Sequence, residues 1–177
     1  MIYLLRHFKV KDISKNRLNS QEFNDWVKDY DNFELEYIDI DIPKDIDDIY
    51  VSSQNRAIKT AEYLNLTYQT SELLAEVGVK AFIDTNLKLP KWLWLSVGRV
   101  LWYFDFTSSE NRSNTKSRIN DFISQIDFEK NTLIISHGFF MTFLIKKLKS
   151  LGFTGDIDVR VKNAKVYTLY AKQGVIL

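Results

Sequence analysis

Two short, unbroken apolar runs constrain this chain most: "IYLLR" (2–6) and "NTLIISH" (131–137). Each is too short for an ordinary helix, and neither alternates apolar with polar residues. That pattern marks a strand buried on both faces. Such a strand needs a covering layer on each side, and the intervening segments have the right periodicity to supply it. "SQEFNDWVKDY" (20–30) places Phe23, Trp26, Val27 and Tyr30 at helical spacing, with Ser20 as the expected cap. "NRAIKTAEYLN" (55–65) carries Ala57, Ile58, Ala61 and Leu64 on one stripe. "NTKSRINDFISQI" (114–126) turns Ile119, Phe122, Ile123 and Ile126 inward, and "GFFMTFLIKKLKSLG" (138–152) reads as a helix closed by Gly152. Between them, "DDIYVSS" (47–53) and "LTYQTS" (66–71) predict two further strands. "KVYTLYA" (165–171) predicts a last strand, antiparallel because a loop rather than a helix precedes it. The succession is that of an α/β layered fold.

The 177 residues carry no internal repeat and no linker rich in Pro, Gly and Ser, so a single domain over 1–177 is expected. Basic and acidic residues number 24 and 23, leaving a formal charge of +1. That balance gives no reason to expect nucleic acid or a membrane surface as partner, and any anion site must be local. With no cysteine, disulfides, thiolate metal sites and cysteine nucleophiles are excluded. The opening apolar run is too short for the hydrophobic region of a signal peptide. "WLWLSVGRVLWYFDF" (92–106) is too short to span a bilayer and contains Arg99. A soluble, cytoplasmic protein is the expectation.

Ligands of open α/β sheets bind beyond the carboxyl ends of the strands. Those ends carry Arg6-His7, then Ser52-Ser53 leading to Arg56, then Ser136-His137-Gly138. The chain has two histidines, and both sit at such an end. Alone, a histidine after a strand is an ordinary turn residue, and an arginine at a helix start is ordinarily solvated. Together, parallel strands would bring two imidazoles and two guanidiniums to one edge. Guanidinium forks match the non-bridging oxygens of a phosphoryl group. A neutral imidazole held in one tautomer is a competent nucleophile toward phosphorus. The helix N-termini after Ser53 and His137 are expected to add backbone N–H donors to the same anion. Nothing in this set requires a metal or other cofactor.

At these residues the chain resembles the histidine phosphatase superfamily, the phosphoglycerate-mutase-like group. The resemblance rests on "LLRHFKV" (4–10), "VSSQNRAIKTAEYL" (51–64), "LLAEV" (73–77) and "LIISHGFF" (133–140), in the family's order. It implies a three-layer α/β/α sandwich on a mostly parallel sheet. It also implies that His7 becomes the phosphohistidine, that Arg6, Arg56 and His137 form the phosphate pocket, and that His137 assists catalysis. Glu76 matches by position the acid that protonates the leaving group, with Glu72 and Asp84 as alternatives.

The match has departures. The family carries Gly after the Arg-His pair, where this chain has Phe8. Phe8 would narrow the pocket, cover the substrate or mark a different loop path. Lys9 and Val10 replace acidic and hydroxyl residues, and a solvated Lys9 is favoured over a phosphate contact. Gln54 stands where Pro is common, a change expected to touch only the loop. The segment 88–106 holds three of the four tryptophans and is expected to combine core with a cap wall, selecting an apolar or aromatic leaving group. An exposed version of it could be a homodimer contact. The expected function is a phosphomonoester hydrolase acting on a small phosphorylated metabolite or a phosphoprotein. A phosphoglycerate mutase-type phosphotransferase and a non-catalytic phosphate or phosphoprotein binder are the alternatives.

Overall fold

The computed structural model describes residues 1–106 and 110–171. Six strands form one sheet: β1 (Ile2–Arg6), β2 (Asp48–Ser52), β3 (Gln69–Ser71), β4 (Thr132–Ser136), β5 (Phe153–Thr154) and β6 (Val166–Ala171). Their order across the sheet is β3-β2-β4-β1-β6-β5. The first four of these run parallel, whereas β6 is antiparallel to β1, as the loop before it predicts. The two-residue strand β5 adds an antiparallel edge beyond β6.

Alternation along β1 explains the layers. Ile2 and Leu4 face α4 (Arg112–Ile123) and α5 (Gly138–Ser150), in a core with Phe122, Phe140 and Leu144. Tyr3 and Leu5 face the other way, with Val51, Ala57 and Ala61, the last two on α2 (Asn55–Tyr63). Both faces are therefore dry, which is why the strand has no polar alternation.

Two more helices stand at the carboxyl edge of the sheet. Helices α1 (Ser20–Asp29) and α3 (Lys91–Tyr103) share a small core of their own, with Phe23 stacked on Trp94 at 5.3 Å between centroids. Antiparallel pairing of Arg17-Leu18 with Leu89-Pro90 ties their approaches together. The cap of α1 is Asn19 rather than the expected Ser20. Asn19 Oδ1 accepts the Glu22 amide at 2.8 Å, and Glu22 Oε2 accepts the Asn19 amide at 2.9 Å. This reciprocal box satisfies two amides, while the Ser20 hydroxyl donates to Asp84 instead. Helix α5 ends as its sequence implies, with Gly152 at φ 92° and its N–H on the Lys149 carbonyl. No helix among the described residues is long and apolar enough to cross a membrane.

Candidate active site

Strand register builds the site. β4 lies between β1 and β2, and Arg6 is paired with Ser136 while Val51 is paired with Ile135. Arg6-His7, Ser52 and Ser136-His137 therefore leave the sheet side by side, and α2 brings Arg56 over them. The rings of His7 and His137 are 5.1 Å apart.

His7 is buried and held at three points. Its amide donates to the Ser136 carbonyl at 3.1 Å, and its carbonyl accepts Asn163 Nδ2 at 2.8 Å. Nδ1 lies 2.6 Å from the Phe8 carbonyl oxygen. A carbonyl can only accept, so Nδ1 carries the proton and Nε2 keeps its lone pair. Burial pushes the His7 pKa down to about 3, aided by the Arg56 and Arg6 charges, with the Phe8 carbonyl opposing. The ring is neutral across ordinary pH.

Phe8 does not narrow or cover the pocket. It is fully buried in a separate cluster with Val10 and Leu35, edge-on to Tyr37 and Tyr63. Its φ is not positive, so no glycine is required for the turn. The Phe8 amide donates to Thr60 Oγ1 on α2, which in turn donates to the Arg56 carbonyl. Lys9 is exposed and paired with Glu36 at 3.0 Å.

Arg56 is buried, and its guanidinium is fixed on three sides. Nε donates to His137 Nδ1 at 3.0 Å, Nη1 to Asp31 Oδ1 at 2.9 Å, and Nη2 to Gln54 Oε1 at 2.9 Å. Gln54 Oε1 also accepts the Glu76 amide, so this residue joins Arg56 to the acidic candidate and does more than shape its loop. His137 is wholly buried. Because its Nδ1 accepts from Arg56, its Nε2 bears the proton and donates to Ser52 Oγ at 2.7 Å. Burial, then the Arg56 charge, hold its pKa well below the ordinary value.

Arg6 donates from Nη1 to the Val161 carbonyl at 2.9 Å, and its buried Nε has no partner among the described residues. Its guanidinium lies flat on Gly138, where an added Cβ would fall 2.8 Å from Cζ. Glu76 spans the gap to α5: Oε1 accepts the Val77 and Phe140 amides and Oε2 the Phe139 amide, at 2.9 to 3.1 Å. The helix N-termini thus differ from expectation. Glu76 takes the second and third amides of α5, those of Phe139 and Phe140, and Asp31 takes those of Asn55 and Arg56 on α2. Both carboxylates satisfy orphan helix donors that were expected to face phosphate.

Arg6, His7, Gln54, Arg56, Glu76 and Gly138 line a cleft of 750 Å³, whereas His137, expected in the phosphate pocket, is wholly buried behind Arg56 and does not line it. Neither Glu72 nor Asp84 reaches it. The walls are Trp26, Val27 and Tyr30 from α1 and its continuation, Leu95, Ser96 and Arg99 from α3, and Phe139. Helix α3 thereby splits three ways: Trp94 and Gly98 face inward, Leu95 and Arg99 face the cleft, and Trp92, Val100 and Tyr103 are exposed. The Arg99 guanidinium stacks 3.9 Å over the Phe139 ring and donates to the Val77 carbonyl. Asp31 and Asn163 escaped the sequence reading, since neither lies in a segment with periodicity, and Gln54 was expected to touch only its loop.

A family model described as the histidine phosphatase superfamily (branch 1) matches residues 42–176. Among solved structures, Rv3214 from Mycobacterium tuberculosis superposes with a TM-score of 0.59 at 14% identity, covering 98% of this chain and 92% of that one. Phosphoglycerate mutase from Bacillus anthracis gives 0.55 at 20% identity, covering 96% and 87%. An Escherichia coli protein whose name carries a proposed alpha-ribazole-5′-P phosphatase activity gives 0.50 at 15% identity, covering 99% and 98%. No curated protein sequence matches significantly. At such identities the likeness to solved structures shows the fold, and the family model shows the lineage. The chain belongs to the histidine phosphatase superfamily, branch 1.

Proposed function

We propose that this protein is a phosphomonoester hydrolase working through a phosphohistidine on His7. The observation that carries the reading is the state of the His7 ring. It is neutral, its tautomer is fixed by the Phe8 carbonyl, and it stands beside two guanidiniums at the cleft floor. Arg6 and Arg56 bind the non-bridging oxygens, and the Nε2 lone pair attacks phosphorus. The bond from phosphorus to the alkoxide oxygen breaks, and the Glu76 carboxyl passes that oxygen a proton. Water then attacks the phosphohistidine, the P–N bond breaks back to the Nε2 lone pair, and the Glu76 carboxylate takes the water's proton. Within this reading His137 orients Arg56 through Nδ1, its own proton being committed to Ser52.

The apolar part of the walls, Trp26, Val27, Leu95 and Phe139, suits a leaving group with an aromatic or aliphatic body. The test is phosphate release from an aryl phosphate and from glycerol phosphate by wild type and His7→Ala. The wild type is expected to release phosphate, favouring the aryl ester, and His7→Ala to lose at least about a thousandfold. No release from any phosphomonoester by well-folded wild type would contradict the reading. Delivery of the phosphoryl group to glycerate instead of water would assign mutase chemistry.

A further inference from the structure

Asp31 sits in the single turn Tyr30–Asn32 after α1, and no motif surrounds it. Its carboxylate nonetheless meets three donors at the phosphate site. Oδ1 accepts Arg56 Nη1 at 2.9 Å and the Arg56 amide at 3.3 Å, and Oδ2 accepts the Asn55 amide at 2.8 Å. The Arg56 side chain is 7% exposed and that of Asp31 25%, so water screens the pair only from one side.

Counting donors shows what this contact does. A guanidinium has five N–H groups. On Arg56, three go to His137 Nδ1, Asp31 Oδ1 and Gln54 Oε1. One N–H on each terminal nitrogen stays uncommitted among the described residues, and these two are what Arg56 can offer a phosphoryl group. Three anchors hold the guanidinium plane. Two of them, an imidazole and an amide, are neutral, and Asp31 alone brings charge. A carboxylate at this distance also cancels part of the field that Arg56 would direct at a phosphate dianion.

We propose that Asp31 is a positioning residue for phosphoryl transfer, aiming the Arg56 guanidinium while weakening the site's hold on free phosphate. The rate half of this inference rests on the hydrolase reading above, and the binding half does not. Its signature is a pair of opposite changes that a helix cap alone would not produce.

The test is Asp31→Asn, whose Oδ1 can keep both Arg56 contacts while its NH₂ gives up the Asn55 amide, with the melting temperature read beside it to show that the fold is kept. Calorimetric titration with inorganic phosphate should show binding about three- to tenfold tighter than wild type. Single-turnover cleavage of an aryl phosphate should slow at least about tenfold, as misaimed electrostatic groups do. Asp31→Glu, which keeps the charge on a longer arm, should hold phosphate within about twofold of wild type and still turn over slowly. Wild-type behaviour of Asp31→Asn in both assays, or weaker phosphate binding, would overturn the proposal. A wild type that binds phosphate yet cleaves nothing would remove the hydrolase reading, while tighter binding by Asp31→Asn would still support the binding half.

Discussion

Gly138 offers the sharpest contrast between fold and function at a single residue. It is the first residue of α5, where alanine is a better helix former, so Gly138→Ala should leave thermal stability unchanged or slightly raised. Yet the new Cβ would meet the Arg6 guanidinium at 2.8 to 3.0 Å, and the flexible end of Arg6 must move. We expect kcat/KM to fall at least about tenfold in Gly138→Ala with the melting temperature kept, read by steady-state kinetics beside calorimetry. Phe8 reverses the pattern. Cutting it to alanine should destabilise the protein by about 3–5 kcal/mol in urea titration, since its ring is fully buried. A cost under about 1 kcal/mol would mean that the ring is not core. At this scale the sequence reading reached the residues at strand ends, because strand direction alone places Arg6, His7 and His137. It missed Asp31 and gave Gln54 a role in its loop alone, because the positions of both depend on chain paths that carry no pattern. It left open where Phe8 points, since side-chain direction after a strand end follows from packing against Tyr37 and Tyr63, far away in sequence.

Among elements, α5 depends on a residue outside itself. Glu76 caps it from the loop before α3, accepting the Phe139 and Phe140 amides. In Glu76→Gln the amide oxygen can keep the two contacts of Oε1, but its NH₂ would then face the Phe139 amide. A stability loss of about 1 kcal/mol by chemical denaturation is expected in addition to slower turnover. An unchanged denaturation midpoint would show that the cap contributes nothing. Helix and strand identities were legible because apolar spacing is a local property. The Asn19 cap was harder to see, because Asn19 and Ser20 are adjacent and equally suited, and the Glu22 box decides between them.

For the whole molecule, two buried neutral histidines tie stability to pH. The His7 pKa is about 3 in the fold against 6.5 when free, and that of His137 is also far below 6.5. Below pH 6.5 the unfolded chain binds protons that the folded chain does not, so stability is present above 6.5 and falls as the pH drops. Each histidine contributes a slope of up to about 1.4 kcal/mol per pH unit in that window. Urea denaturation from pH 7 to 5 should show this decline, and His7→Asn should flatten it by about one proton. An identical slope in the variant would mean that His7 titrates normally in the fold. The layered architecture was readable from strand–helix succession, whereas the two-strand edge of β6 and β5 was only half visible, β5 being too short to carry a pattern.

The central claim is that His7 carries the phosphoryl group. The most direct measurement is a millisecond mixing of the enzyme with an aryl phosphate, quenched into alkaline denaturant, in which a P–N bond survives. Peptide mass spectrometry should then find phosphate on the peptide containing His7, formed before a full turnover of product and absent in His7→Ala. Turnover without any label on His7, or label that persists in His7→Ala, would contradict the account.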